Sequence, residues 1–288
     1  MQMPIQLFTA MVVLLALSGC ATTGLHNSTK VFTDPSDMRP SDWSDPTEME
    51  RAWQAALVRI PRSGGGYIST TIAKLGEGGA LSEGVWPTVI YMHGCTGIWP
   101  GTKARINVLA RNGYAAIAPA SFARLKYPQS CRAATFEGGM YRPTLQMRQY
   151  DAGYAIAKAK TLPWVDESNV FLMGLSQGGI TTATFASSRP EHSLRARIIE
   201  GWTCHAGWSE YKGVNAPDTE PVLALVGAKD PWFQTPWTKG DCRPFLDLSN
   251  GSRSVVYSTG HLSTRHELLE AREAQQEVLN FLNTHRSH

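Results

Sequence analysis

The fold is decided by one stretch of the sequence, VFLMGLSQGG at residues 170–179. Its first residues are continuously apolar and predict a buried strand over 170–173, and a helical pattern over 177–187 follows directly. Between them stands Gly-x-Ser-x-Gly, in the strand–turn–helix setting in which a serine hydroxyl is held exposed at the tip of a tight turn. Small residues on either side let the backbone turn without a clash. Ser176 is therefore the predicted nucleophile.

On both sides of this turn, short apolar runs alternate with helical patterns along the chain. Buried strands alternating with helices predict an α/β fold, in which a mostly parallel central sheet carries helices on both faces. The predicted strands are 67–75, 88–92, 114–118, 170–173, 197–200, 222–226 and 254–257. The predicted helices are 47–60, 104–112, 144–162, 177–187 and 266–282, the first opened by a capping box of Thr47 and Glu50.

The composition is that of a globular protein, with 42% hydrophobic and 18% charged residues over 288 positions. A net charge of +3 without a Lys/Arg run predicts no nucleic-acid partner.

The N-terminus has the features of an export signal. Residues 5–17 are largely apolar and end in Leu17-Ser18-Gly19-Cys20, which resembles a bacterial lipobox. We expect a signal peptide over 1–20, lipidation of Cys20, a flexible linker over 21–46 and a folded α/β domain over 47–288. The predicted location is the cell envelope, with a lipid anchor at Cys20 as the sole membrane contact. An ordinary signal peptide, giving a secreted protein, and a buried N-terminal helix are the alternatives.

Four cysteines remain if Cys20 is lipidated, and an exported chain can pair them in three ways. We favour Cys95–Cys131 and Cys204–Cys242, because each bond would join neighbouring loops of the site. Four buried free thiols are the alternative.

A serine hydroxyl needs a base and an acid that orients the base. His261 follows the last predicted strand and Asp230 follows strand 222–226, so both should lie at the carboxyl edge of the sheet. The order Ser176, Asp230, His261 is the order of this architecture. His266 is the competing base, but it begins a helical pattern.

The developing oxyanion needs two hydrogen-bond donors. We expect them to be the backbone N–H groups of Gln177, directly after Ser176, and of Cys95, in the glycine-containing loop 93–97. In this interpretation His93 holds the loop. Five tryptophans follow strands and could wall a cleft for an apolar or ring-bearing group: Trp99, Trp202, Trp208, Trp232 and Trp237.

The motifs His-Gly-Cys-x-Gly, Gly-x-Ser-x-Gly-Gly, Gly-x-x-Asp-Pro and Gly-His together resemble those of the dienelactone-hydrolase-like α/β-hydrolases, over about residues 64–284. The resemblance implies an α/β-hydrolase fold, a small-molecule or polymer ester as substrate, and neither cofactor nor metal. Ser176 stands where dienelactone hydrolases have cysteine, which favours a general carboxylic-ester hydrolase. A peptidase or polyesterase with the same triad, a non-catalytic envelope lipoprotein, and a cysteine hydrolase using Cys95 are the alternatives.

Overall fold

An eight-stranded sheet forms the centre of the molecule, in the order β10-β9-β8-β7-β3-β4-β1-β2. We describe residues 30–76, 84–187 and 189–287 of a computed structural model. Strands β1 and β2 are antiparallel to their neighbours, and all the other pairs in the sheet are parallel. A separate hairpin contains β5 and β6. The strands are β1 (Leu57–Pro61), β2 (Tyr67–Thr71), β3 (Trp86–Met92), β4 (Ala115–Ala118), β5 (Cys131–Arg132), β6 (Glu137–Gly138), β7 (Val165–Leu175), β8 (Ala196–Glu200), β9 (Val222–Gly227) and β10 (Arg253–Tyr257).

Helices cover both faces of the sheet. Along β3, Val89 and Tyr91 belong to a core cluster shared with α4 and α7, whereas Ile90 and Met92 belong to one shared with α2 and α5. Successive side chains of a strand point to opposite faces, so a strand buried on both faces is apolar throughout. The predicted α/β fold class is confirmed. The helices are α1 (Pro40–Trp43), α2 (Pro46–Gln54), α3 (Ile72–Gly76), α4 (Pro100–Arg111), α5 (Thr144–Lys160), α6 (Gln177–Thr184) and α7 (Arg272–His285).

The sheet order brings the carboxyl ends of β3 and β7 side by side. From this pair the chain moves outward in two directions, through β4 on one side and through β8 on the other. Such a reversal of strand order opens a crevice at the carboxyl edge, where ligands of open α/β sheets bind. None of the helices described is long and apolar enough to cross a membrane.

The first predicted helix is too long. Helix α2 ends at Gln54, and Leu57 and Ile60, which the predicted helix 47–60 includes, belong to β1. The apolar residues of β1 pack between two strand partners, β2 and β4, and this sheet pairing outweighs the helical spacing. The helix is also capped by Asp45, which accepts from the N–H of Thr47, rather than by Thr47 itself.

The expectation of a flexible linker over 21–46 is wrong for the part that the structure describes, residues 30–46. Met38 is buried in a cluster with Phe122, Tyr127 and Met147, and Thr33 forms a bridge to Pro128. The segment therefore packs on the domain as part of it. The predicted signal peptide, Cys20 and residues 21–29 lie outside the described residues.

Candidate active site

Ser176 occupies a sharp turn between β7 and α6, with φ 58° and ψ −120°. A non-glycine residue rarely adopts positive φ, and the strain costs about 1–3 kcal/mol. The turn requires glycine on both sides. A Cβ on Gly174 would lie 2.2 Å from the carbonyl oxygen of Gly178, and a Cβ on Gly178 only 2.0 Å from that of Met92. The N–H of Ser176 donates to the carbonyl oxygen of Glu200 at 2.8 Å, which ties the turn to β8.

The loop after β3 runs beside this turn, because β3 and β7 are paired in parallel. A Cβ built on Gly94 would lie 3.7 Å from the Cβ of Ser176. The N–H groups of Cys95 and Gln177 donate to no acceptor in the parts of the chain that are described. Two free backbone donors therefore flank the serine, as an oxyanion hole requires.

His93 is fully buried behind this loop. Its Nδ1 lies 2.7 Å from the carbonyl oxygen of Gly94, and since a carbonyl can only accept, Nδ1 carries the hydrogen. Burial, with the nearby Arg148 guanidinium, holds the pKa of His93 well below its ordinary value. This neutral histidine braces the loop, the role expected for it.

A carboxylate–histidine pair lies at the carboxyl edge of the sheet, with its Asp230 side chain fully buried and its His266 side chain 15% exposed. Asp230 follows β9, and its Oδ2 lies 2.7 Å from Nδ1 of His266. Its Oδ1 accepts from the N–H of Trp232 at 3.0 Å, which fixes the carboxylate. The imidazole of His266 stacks on Trp232, at 5.3 Å between ring centroids, and also contacts the tilted ring of Phe233 at 5.6 Å. Its Nε2 is buried and has no hydrogen-bond partner among the described residues.

The expectation that His261 partners Asp230 is contradicted by this geometry. The side chain of His261 is 64% exposed and lies 3.5 Å from Glu273 on the protein surface. The expectation assumed that the last helix begins at His266, whereas α7 begins at Arg272. The chain makes a short helical turn over His261–Thr264 before it returns to the sheet edge at His266.

The sequence did contain a signal for this boundary. The apolar spacing of α7 runs through Ala274, Val278 and Leu282, all buried. One turn earlier the same helical face would carry Glu270, so the periodicity does not extend back to His266.

His266 and Ser176 pack against the same step of the chain, Glu200–Gly201. Glu200 accepts from the N–H of Ser176. A Cβ on Gly201 would lie 2.7 Å from the carbonyl oxygen of His266 and 3.2 Å from its imidazole Cε1. The end of β8 therefore brings the serine turn and the histidine loop together, and glycine at 201 permits the approach.

A buried ion-pair network holds the histidine loop to the sheet. Both carboxylate oxygens of Glu200 accept from Arg105, at 2.7 and 2.8 Å, and one also accepts from the N–H of Leu269 at 2.8 Å. Glu267 lies 3.3 Å from the same guanidinium. Burial raises the pKa of Glu267 to about 7, because the charged form is poorly solvated there.

A cavity of about 460 Å³ opens beside Ser176 and Gln177. This volume is in the range of small-molecule sites. Its lining contains no Asp, Glu, Lys, Arg or His. Four of the five tryptophans singled out above line it, but Trp99 does not; it caps α4 instead. The aromatic lining residues are Phe136, Trp202, Trp208, Tyr211, Trp232, Phe233 and Trp237.

Two disulfides support the walls of this cavity, and both cysteines of the first, Cys95 and Cys131, are lining residues. Cys95 is bonded to Cys131 and Cys204 to Cys242, so the predicted pairing is confirmed. The first bond links the loop after β3 to the hairpin of β5 and β6. The second links the segments that follow β8 and β9, which carry most of the aromatic lining. No cluster of His, Cys, Asp and Glu that could hold a metal ion occurs among the residues described.

The sheet order and the position of the serine turn define an α/β-hydrolase fold. The family model of the dienelactone hydrolase family matches residues 79–240. The chain belongs to this family and is a hydrolase of the ester-hydrolase type.

Solved structures share this fold at low sequence identity. A protein of Klebsiella pneumoniae described as a dienelactone hydrolase aligns with a TM-score of 0.53 and 18% identity, over 80% of this chain and 99% of that one. The dienelactone hydrolase-like promiscuous phosphotriesterase P91 from metagenomic libraries gives 0.52 and 16%, over 80% and 99%. The esterase Est2 of the planctomycete Thermogutta terrifontis gives 0.50 and 14%, over 80% and 88%. No curated protein matches the chain.

Proposed function

We propose that the chain is an exported serine hydrolase that cleaves uncharged carboxylic esters through an acyl-enzyme, with Ser176, His266 and Asp230 as its triad. The observation that carries this proposal is the hydrogen-bonded Asp230–His266 pair beside the serine turn. A carboxylate cannot donate, so Nδ1 of His266 carries the hydrogen, and in the neutral imidazole Nε2 then has the lone pair. This is the tautomer that a general base needs.

The first half of the reaction forms the acyl-enzyme. Oγ of Ser176 attacks the ester carbonyl carbon while its proton passes to Nε2 of His266, and the carbonyl π pair moves onto oxygen. The N–H groups of Cys95 and Gln177 donate to that oxyanion. When the C–O bond to the alcohol breaks, the leaving oxygen takes the proton from His266. Asp230 stabilises the imidazolium that exists between these steps.

The second half hydrolyses the acyl-enzyme. Water gives a proton to Nε2 of His266 and attacks the acyl carbon, which restores an oxyanion between the same two donors. Collapse of this intermediate breaks the bond to Oγ, and Ser176 recovers its proton from the imidazolium. The product acid leaves and the free enzyme is regenerated.

The cavity supports an uncharged, ring-bearing ester as substrate. Its aromatic walls offer stacking surfaces, and no cation in the lining could balance a carboxylate. Transfer of an unpaired carboxylate from water into such a site is costly.

Export is proposed from the sequence, through the apolar segment 5–17 and the lipobox-like Leu17-Ser18-Gly19-Cys20. The two disulfides support an oxidising compartment. Expression with an alkyne-tagged fatty acid tests the anchor. We expect label on the wild type and none on Cys20→Ala, and an unlabelled wild type would remove the lipoprotein from the proposal.

The catalytic proposal is tested by intact-mass analysis after treatment with a fluorophosphonate. An activated serine oxygen bonds to phosphorus and releases fluoride, so we expect one adduct on the wild type and none on Ser176→Ala. A folded, disulfide-intact protein that takes up no label, or that is labelled equally as Ser176→Ala, would contradict the proposal.

The substrate class is tested with two esters of matched shape, 4-nitrophenyl benzoate and 4-nitrophenyl 4-carboxybenzoate. We expect kcat/KM to favour the neutral ester by at least about tenfold, because the carboxylate must be desolvated without a counter-ion. Equal values for the two esters would exclude a neutral pocket as the basis of selection.

A further inference from the structure

Arg148 differs from the other fully buried arginines of the described chain. Arg105, Arg124 and Arg197 each form an ion pair with a buried acid, at 2.7, 2.7 and 2.6 Å. Arg148, on α5, is 0% exposed and forms no ion pair with any described residue. Because a buried charge without a counter-charge is costly, a gain elsewhere must account for it.

The nearest acid on the same helix does not balance this charge. Asp151 is buried, and one of its oxygens accepts two hydrogen bonds from Arg124, at 2.7 and 3.0 Å. The group formed by Arg124, Arg148 and Asp151 therefore has a formal charge of +1. His93, the titratable side chain packed beside Arg148, is held neutral, so it adds no compensating charge.

The guanidinium of Arg148 donates hydrogen bonds to two segments of the chain. These are the segments that carry the free N–H groups beside Ser176. Its Nη2 donates to the carbonyl oxygen of His93 at 2.5 Å, and its Nη1 to Oε1 of Gln177 at 3.4 Å. Ser130 donates to the same Oε1 at 3.2 Å. One guanidinium thus bridges the loop that contains Cys95 and the residue that follows the serine.

We propose that Arg148 is a positioning residue of the oxyanion hole, which sets the separation of the Cys95 and Gln177 N–H groups and contributes an uncompensated positive charge behind them. The inference rests on the proposed function. An oxyanion that forms in front of these donors supplies the counter-charge that the ground state lacks. Arg148 therefore stabilises the transition state more than the bound substrate, and this difference raises kcat.

The test compares Arg148→Met and Arg148→Lys with the wild type. Methionine keeps the apolar length of the side chain and leaves no carboxylate unpaired, so we expect the Tm of Arg148→Met to be unchanged or higher. We expect its kcat on a neutral 4-nitrophenyl ester to fall about 30- to 100-fold with KM within about twofold. The inhibition constant of an arylboronic acid, whose Ser176 adduct is an anion in the hole, should rise by a similar factor. Arg148→Lys keeps the charge but loses the fork, so it should recover part of kcat.

Arg197→Met is the matched control, because Arg197 is equally buried but pairs with Glu220 away from the site. We expect the opposite result, a lower Tm with kcat of the folded protein retained.

A kcat of Arg148→Met within threefold of wild type overturns the inference, as does an effect confined to KM. If Arg148→Met has a lower Tm or does not fold, the uncompensated charge is refuted, and wild-type kcat in Arg148→Lys then refutes the positioning role. If the wild type takes up no fluorophosphonate, the proposed function fails first. If the wild type is labelled normally and the kcat of Arg148→Met is unchanged, this inference alone is overturned.

Discussion

His261 and His266 are neighbours in the sequence but have opposite surroundings. His261 lies on the surface beside Glu273, whereas His266 is held by Asp230 and two aromatic rings. Proton transfer requires a fixed imidazole, and only the second histidine has one.

Replacement of each histidine by alanine separates their roles. We expect His266→Ala to lower kcat by at least about 10³-fold, because Ser176 loses its base. His261→Ala should keep kcat within about twofold, because removal of an exposed residue rarely perturbs a site. Steady-state hydrolysis of a neutral 4-nitrophenyl ester measures both. The reverse pattern would restore the triad expected from the sequence.

Glu267 makes the stability of the protein depend on pH. Its pKa is raised to about 7 in the folded protein from an ordinary 4.5, so the folded state binds the proton more tightly than the unfolded state. The stabilisation that this proton provides is complete below pH 4.5 and is lost as the pH rises through 7.

Glu267→Gln removes this dependence, because an amide does not ionise. We expect the variant and the wild type to unfold at similar temperatures at pH 4.5, and the variant to be more stable by about 2–4 °C at pH 8. Thermal unfolding between these pH values measures the difference. Glu167→Gln, at an exposed acid outside this loop, is the control and should show no trend. A difference that does not change with pH would contradict the prediction.

Among single residues, those in short motifs could be singled out from the sequence, whereas the histidine that contacts Asp230 is positioned by a loop and could not. Ser176 and the N–H groups of Cys95 and Gln177 follow from short motifs next to strands. His266 is positioned by the packing of Gly201 and by the buried network of Arg105 and Glu200. These contacts are distant in sequence, so no local pattern reveals them.

At the scale of elements, the two disulfides support different parts of the site. Cys95–Cys131 holds the loop whose free N–H is the proposed oxyanion donor, and Cys204–Cys242 holds the segments that form the aromatic wall. Each closes a loop of similar length, with sequence separations of 36 and 38 residues. Their contributions to stability should therefore be alike, at about 3–4 kcal/mol in the chain-entropy account.

We expect the two double alanine variants to differ in kinetics rather than in stability. Loss of Cys204–Cys242 should raise KM for a benzoate ester by about fivefold with little change for an acetate ester, because the wall contacts the ring. Loss of Cys95–Cys131 should lower kcat for both esters by about tenfold, because an oxyanion donor is displaced.

Steady-state kinetics with 4-nitrophenyl acetate and benzoate, together with Tm values, measure these effects. Identical kinetic changes in the two variants would mean that the bonds support the fold only.

The sequence predicted seven strands of the central sheet and missed β1. Continuous apolar runs such as β3 and β9 are diagnostic of strands buried on both faces. Strand β1, Leu57–Pro61, follows α2 after a short turn, and its apolar residues extend the helical spacing of that helix. Only its pairing with β2 and β4 makes this segment a strand rather than a continuation of α2, and pairing partners are not encoded locally.

At the scale of the whole molecule, the segment before α2 is part of the folded domain. Arg124 is fully buried and donates to the carbonyl oxygens of Asp42 and Trp43, at 2.9 and 3.1 Å. Met38 completes an apolar cluster beneath it. The polar composition of this segment predicted a linker because its few apolar residues are widely spaced.

Met38→Ala tests whether this packing contributes to stability. Met38 is 7% exposed, and truncation of a buried methionine costs about 2–4 kcal/mol, or roughly 5–10 °C in Tm. Met140→Ala, at a methionine that is 42% exposed, is the matched control and should change Tm by less than about 1 °C. Equal Tm values for the two variants, measured by thermal unfolding, would favour the flexible linker expected from the sequence.

Both disulfides join cysteines that are consecutive after Cys20. If the chain is exported N-terminus first, Cys131 is the next cysteine to emerge after Cys95, and Cys242 is the next to emerge after Cys204. An oxidant that joins each thiol to the next one to appear therefore makes the native bonds without later isomerisation, a step that takes seconds to hours.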